Sequence, residues 1–91
     1  MRRGKGPAKI PPEKGSIVPL AYLRPGDEGV IVSIIGGRGI LRRLVDLGLT
    51  PGTKVFVVKS SPFHGPLEIA VRGSDLALGR GVAMKVLVEV I

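Results

Sequence analysis

Apolar and polar residues alternate over most of the chain from residue 17 onward. A repeat of two residues puts successive side chains on opposite faces and therefore predicts β-strands. Residues 28–35 are apolar on nearly both faces, which is typical of a strand in the middle of a sheet. Pro19 lacks a backbone N–H and suits only an edge strand. The other stretches that predict strands or short extended segments are 17–20, 53–59, 67–71, 76–78 and 84–91.

One stretch departs from this alternation and predicts a helix from about Ile40 to Leu47. Its apolar residues recur at three- and four-residue intervals, as the buried face of a helix requires. These residues are Ile40, Leu41, Leu44 and Leu47. No other stretch of the sequence predicts a helix convincingly. The strands are therefore expected to pack around this helix or against it.

Glycine and proline mark the ends of the predicted elements. Gly48 lies where a helix needs a left-handed residue, and Leu49 after it is a candidate hydrophobic cap contact. Pro51 and Gly52 suit the two central positions of a tight turn before the next strand. Gly26 follows a proline in the same way and predicts a type II turn. Further turns are expected at 36–39, 60–66, 73–75 and 79–81.

The number and spacing of these elements predict the fold class and the domain bounds. About five strands joined by glycine and proline turns favour a small β-barrel, because closure removes exposed edges. A chain of 91 residues is long enough for one domain. Residues 16–91 are assigned to that domain. Residues 1–15 are rich in proline, glycine and charge, and are expected to form a disordered basic tail.

The formal net charge of +7 invites comparison with nucleic-acid-binding proteins. Residues 1–14 carry five basic side chains and one acidic side chain, so more than half of the excess lies in the tail. Aromatic residues, on which bases stack, make up only 3% of the chain. A basic nucleic-acid-binding β-barrel is therefore the alternative function. Its affinity would fall steeply with salt and on deletion of residues 1–14.

Catalytic and metal-binding groups are scarce in the sequence. It has no cysteine and one histidine, His64, which lies in a Pro/Gly loop. No nucleophile setting is recognisable, so no enzymatic activity is expected. His64 is a candidate ligand for weak divalent metal binding, but its spacing to Glu68 and Asp75 fits no standard site. No cofactor or dedicated metal site is expected, and the apolar stretches are too short to span a membrane.

The predicted helix carries charges that do not stabilise it. Arg42 and Arg43 lie toward its front half and Asp46 near its end, opposite to the order that the helix dipole favours. An arginine before an aspartate is also the weaker orientation for a pair on one helix. Two explanations stay open. The charges pair with distant residues, such as Arg43 with Asp27 or Asp75, which is slightly favoured, or they face a partner.

Three segments carry a resemblance to a known family. They are LxxLxPGDxGxI over residues 20–31, RLxDLGLTPG over residues 43–52, and VRG followed by LALGR over residues 71–80. Together with Gly37 they resemble the FeoA domain of ferrous iron transport protein A, and the match extends over residues 16–91. The resemblance implies a mainly β fold, a small SH3-like β-barrel of about five to six strands with one short inserted α-helix.

The resemblance also implies a function. Proteins of this family are small cytosolic, non-enzymatic accessories of ferrous iron uptake. They are expected to act as interaction modules on ferrous iron transport protein B, a membrane transporter with a cytoplasmic GTPase domain. The chain would then lie in the cytoplasm or against the inner face of the membrane, without inserting. Self-association through a strand edge stays open, and nucleic acid is not expected as a partner. Candidate partner contacts are Arg42, Arg43, Asp46, Leu49 and Arg80.

Overall fold

The structure, a computed structural model, describes residues 12–63 and 65–91. Its strands form one six-stranded antiparallel sheet in the order β1-β6-β2-β3-β4-β5. The prediction of a mainly β fold is confirmed. The elements are β1 (Ile17–Pro19), β2 (Glu28–Ile34), α1 (Arg38–Asp46), β3 (Lys54–Ser60), β4 (Leu67–Val71), β5 (Ser74–Leu78), α2 (Arg80–Ala83) and β6 (Val86–Val90), with a 3₁₀ turn at Leu20–Tyr22.

The core lies on one face of the sheet, formed by alternate residues of the long strands. The strand over residues 28–34 lies between β6 and β3, as the two-sided apolar pattern predicts. The alternation predicted for β3 and β6 is also confirmed, because their alternate valines are buried while Lys54 and Glu89 are exposed. The largest fully buried side chains are Leu20, Ile31, Leu44, Leu49, Val55, Val57, Leu67, Ile69, Val86 and Val88.

Helix α1 begins two residues earlier than predicted. The carbonyl of Gly37 accepts a hydrogen bond from the N–H of Leu41. Gly37 is therefore the N-cap, and Arg38 is the first helical residue. The predicted apolar face is only partly buried. Leu44 packs in the core, whereas Leu41 and Leu47 remain 36% and 43% exposed. Part of the apolar surface of this helix is therefore exposed and available for contact outside the core.

The predicted end of α1 and the two predicted turns are confirmed. Gly48 has φ +85°, its N–H donates to the Val45 carbonyl at 2.9 Å, and the Leu49 N–H donates to the Leu44 carbonyl at 2.8 Å. These two bonds are the Schellman arrangement that satisfies the last carbonyls of a helix. Gly26 and Gly52 have φ values of +94° and +90°, as the third residue of a type II turn requires.

Two local predictions near the end of the chain are wrong. The predicted turn at 73–75 lies instead at Arg72 and Gly73, both with positive φ, and β5 begins at Ser74. A two-residue hairpin turn of this kind needs positive φ at both positions, which matches the twist of the strands. The predicted irregular turn at 79–81 is the start of α2, in which the Ala83 N–H donates to the Gly79 carbonyl.

The start of the described chain is joined to β6. The Gly15 N–H donates to the Val90 carbonyl at 2.7 Å, and the Ser16 carbonyl accepts the Val90 N–H. Most of the predicted tail, residues 1–11, lies outside the described residues. Among the residues that are described, no helix has the length and apolar content needed to cross a bilayer.

Candidate functional site

The charged side chains of α1 are exposed to solvent. Arg42, Arg43 and Asp46 are all exposed, and Arg38 adds a further positive charge in the first turn, which holds no acidic residue. A positive charge at a helix N-terminus opposes the helix dipole. The helix therefore tolerates Arg38 without gaining stability from it. Arg43 lies in the last turn of the observed helix, where a positive charge is favourable, so the prediction that Arg43 opposes the dipole is wrong.

The predicted pairing of Arg43 with Asp27 or Asp75 is not formed. The Asp27 carboxylate accepts the backbone N–H of Arg24 at 2.7 Å and closes its own turn. Within residues 12–63 and 65–91, the arginine side chains that donate hydrogen bonds are Arg72 and Arg80. Of the two explanations for the helix charges, pairing of Arg43 with a distant residue is therefore not observed, and contact with a partner stays open.

A cleft lies between α1 and β5, and it is called here the α1 cleft. Its volume is about 360 Å³. The helix contributes Arg43 and apolar side chains, and the opposite wall is formed by Ala77, Leu78 and Gly79, with Val82 at one side. Arg43 is the charged member of this lining, in which no acidic residue takes part. A cation beside apolar walls favours a ligand that combines an acidic group with apolar ones.

A second groove, of about 460 Å³, is lined in part by Arg80 and is called the Arg80 groove. Its walls are mostly apolar and include Tyr22, Pro25, Phe63 and Met84. Phe63 is 94% exposed and has φ +57°, a conformation rarely adopted by bulky residues.

Arg80 forms the polar base of this groove. Its Nε donates to the Gly65 carbonyl at 3.2 Å and its Nη1 to the Ala21 carbonyl at 3.3 Å. Its Nη2 donates to the Ser60 Oγ at 3.1 Å and to the Ser61 carbonyl at 3.2 Å. The side chain thus joins the 3₁₀ turn, the β3–β4 loop and α2. The sequence predicts Arg80 as a partner contact, whereas the structure directs its guanidinium to oxygens of the chain itself.

Arg72, in the turn between β4 and β5, makes a similar contact between distant segments. Its Nη2 donates to the Thr53 Oγ1 at 3.2 Å, and that hydroxyl is 3.0 Å from the Thr50 Oγ1. The Arg72 Cδ lies 3.7 Å from where a Cβ on Gly48 would be. The side chain therefore fastens the β4–β5 turn to the end of α1. Nothing in the local sequence pattern singles out this arginine, because both of its contacts are distant in sequence.

The structure brings together only some of the predicted partner contacts. Arg43 lies in the α1 cleft, while Arg42 and Asp46 are exposed on α1 but do not line either cavity. The Leu49 side chain is fully buried in the core and holds the helix end, so it is out of reach of a partner. The structure adds Leu47, Ala77 and Val82 as exposed or half-buried cleft residues.

No metal centre is built from the described residues, among which no three or more His, Cys, Asp or Glu side chains cluster. His64, the candidate metal ligand, lies outside those residues. Its metal binding stays a prediction.

Comparisons with known proteins agree on one family. The model of the FeoA domain matches residues 18–90. A putative Fe(2+) transport protein A from Methanocaldococcus jannaschii is 41% identical over 71 residues, which cover 78% of this chain and 84% of that protein. A crystal structure of an iron uptake regulatory protein (FeoA) superposes with a TM-score of 0.79 at 42% identity, covering 84% of this chain and all of that one. This likeness confirms the SH3-like fold expected from the sequence.

A third relative has a longer architecture. An Fe(2+) transport protein A/Fe(2+) transporter FeoB fusion protein from Porphyromonas gingivalis is 34% identical over 73 residues. The matched region covers 79% of this chain and 8% of the fusion protein. In that relative, the region similar to this chain and the transporter are parts of one polypeptide.

Proposed function

Because the chain belongs to the FeoA domain family, we propose that it is a non-enzymatic accessory of ferrous iron transport that acts by binding the FeoB transporter. The observation that supports this most directly is the fusion of a similar region to FeoB in a relative. Fusion raises the effective concentration of one part at the other, and this is most useful when the two parts bind each other.

The surface of the described residues is suited to binding protein. The α1 cleft and the Arg80 groove are open and mostly apolar, and α1 presents Leu41 and Val45 to solvent. Apolar surface with arginine at its margin is typical of protein interfaces. Arg43 supplies such a margin, and its side chain donates no hydrogen bond to another of the described residues. We propose no catalytic activity for the chain, because neither cavity is lined by an acidic and a basic residue together.

We also propose that the chain acts in the cytoplasm, beside the membrane that holds the transporter. The cytoplasmic part of FeoB, with its GTPase domain, is then the binding partner. Ferrous iron is the cargo of the transporter in this proposal, and the accessory needs no bound metal or cofactor to dock.

The test is direct binding between the full-length chain and the soluble cytoplasmic part of FeoB from the same organism. The two purified proteins are measured by biolayer interferometry without nucleotide, with GDP and with a non-hydrolysable GTP analogue. We expect saturable binding in at least one nucleotide state. The control is an unrelated basic protein of similar size, which separates specific binding from charge attraction. Absence of association in all three states would overturn the proposal.

A further inference from the structure

Strand β5 lies at one end of the sheet order and has β4 as its neighbour on one side. The turn between them has two residues, and Val71 pairs with Ser74. In such a hairpin the closing pair exchanges two hydrogen bonds, and bonded and non-bonded pairs then alternate along the ladder. Leu76 therefore bonds to β4, whereas Asp75 and Ala77 direct their N–H and C=O groups away from it.

These outward groups form an open edge. Among the described residues, no backbone hydrogen bond from another element reaches Asp75 or Ala77. Ala77 forms a wall of the α1 cleft, and α1 forms the opposite wall. A paired strand would lie about 4.8 Å from β5 in the direction of these groups. The cleft and the open edge are therefore neighbouring parts of one surface.

We propose that the β5 edge and the α1 cleft together bind an extended segment of a protein partner, which adds to the sheet as a seventh strand. Strand addition gives affinity through the main chain, while alternate side chains give specificity. The proposal rests on the proposed function, in which the partner is FeoB, and it assigns the surface that FeoB contacts.

The charges around the edge define the chemistry of this segment. Residues that pair across strands share a face, so Asp75 and Ala77 share the outer face with exposed Glu68. The outer positions of the added strand therefore favour basic or neutral polar residues. Its inner positions face the apolar cleft and Arg43, and favour apolar residues with one acidic side chain. A segment with this alternation fits both faces.

A second copy of this chain fits the edge less well. If two β5 strands paired antiparallel, Leu76 and Leu78 of the second copy would face the cleft, and neither supplies an acid for Arg43. Asp75 of both copies would join the two Glu68 carboxylates on the outer face. Like charges facing each other across strands are destabilising. The charge pattern thus favours a different protein as the occupant.

The first experiment locates the contact without any substitution. Hydrogen exchange of backbone amides is followed in the full-length chain, alone and with the cytoplasmic part of FeoB at saturation. We expect the Asp75 and Ala77 amides to exchange at least about tenfold more slowly in the complex, because each would gain a strand partner. The Leu76 amide already bonds to β4 and is expected to change much less. Unchanged exchange at Asp75 and Ala77 in a formed complex would overturn the proposal.

The second experiment removes single contacts. Ala77→Pro deletes one outward N–H, at an edge position where proline is tolerated, and is expected to weaken binding by about tenfold. Ala77→Ser keeps the N–H and is the control. Arg43→Glu is expected to weaken binding by at least about tenfold, whereas Arg42→Glu, the same change outside the cleft, should alter it less than about threefold. Circular dichroism of each variant verifies the fold.

The outcomes separate this inference from the proposed function. If FeoB binds the wild-type chain and all four variants equally, the β5 edge is the wrong surface while the proposed function stands. If FeoB does not bind the wild-type chain, both fall. If sedimentation shows a dimer of the chain that Ala77→Pro dissociates, a second copy occupies the edge and the inference is overturned.

Discussion

Replacing Arg80 by alanine tests whether this arginine holds the fold together. Its guanidinium donates four hydrogen bonds, at 3.1–3.3 Å, to oxygens of two other segments, the 3₁₀ turn and the end of β3 with the β3–β4 loop. Arg80→Ala removes all four and leaves the 3₁₀ turn, the β3–β4 loop and α2 without their common contact. We expect a large loss of stability.

The magnitude follows from the number and exposure of these bonds. A hydrogen bond to a charged group contributes about 1.5–3 kcal/mol net, which would give an upper bound of about 6–12 kcal/mol for four. Arg80 is half-buried and its groove is open, so water can reach some of the acceptors that it leaves. A decrease of about 2–4 kcal/mol in the free energy of unfolding is therefore expected. That is a substantial part of the about 5–15 kcal/mol that holds an ordinary domain.

Urea unfolding followed by circular dichroism measures this loss. The m-value of a domain this small is about 1 kcal/mol/M, so the midpoint should fall by roughly 2–4 M. Arg80→Lys should retain part of the stability, because an ammonium has three donors and cannot span the planar set of acceptors. Arg42→Ala is the matched control, an exposed arginine without hydrogen bonds among the described residues. A loss below about 0.5 kcal/mol for Arg80→Ala, together with weaker binding of FeoB, would show that Arg80 is a partner contact instead.

Three further substitutions test the local geometry by the same urea assay. Gly36→Ala should lower the free energy of unfolding by about 2–3 kcal/mol, because φ is +151° and the new Cβ would lie 2.3 Å from the Ile40 Cγ2. Gly48→Ala should cost only about 1–2 kcal/mol, since its nearest neighbour would be 3.7 Å away and only the backbone is strained; equal losses would refute the steric argument. Leu44→Ala should cost about 2–4 kcal/mol, and a loss below about 1 kcal/mol would mean that α1 is not packed on the core.

Features that depend on neighbouring residues could be predicted from the sequence. The left-handed glycines at positions 26, 48 and 52 follow from local turn chemistry, and the structure gives each a positive φ. The alternation of β3 and β6 is equally local, because the side-chain period of a strand decides which residues face the core. The helix α2 escaped prediction because a four-residue element containing Gly81 is too short to show a helical period.

The roles of the individual arginines could not be predicted, because they depend on contacts distant in sequence. Arg80 bonds to a carbonyl 59 residues away, and Arg72 to a hydroxyl 19 residues away. Arg42 and Arg43 are adjacent, chemically alike and both exposed on α1. Only the packing of α1 against the sheet shows that Arg43, and not Arg42, lines the cleft. The resemblance to a family identified the fold but not this difference.

Both ends of β5 are held in place by arginines that donate to neutral oxygens. At the start of the strand, Arg72 of the β4–β5 turn bonds to Thr53 and lies against Gly48 at the end of α1. Just beyond the other end, Arg80 ties the first residue of α2 to the body of the domain. The distance between β5 and α1 is therefore set before any segment binds. A preformed cleft needs little reordering when a segment binds. The conformational entropy lost on binding then comes mainly from the segment. For this reason Arg80→Ala should lower both the affinity for FeoB and the free energy of unfolding. Arg80→Lys should recover a similar fraction of each loss.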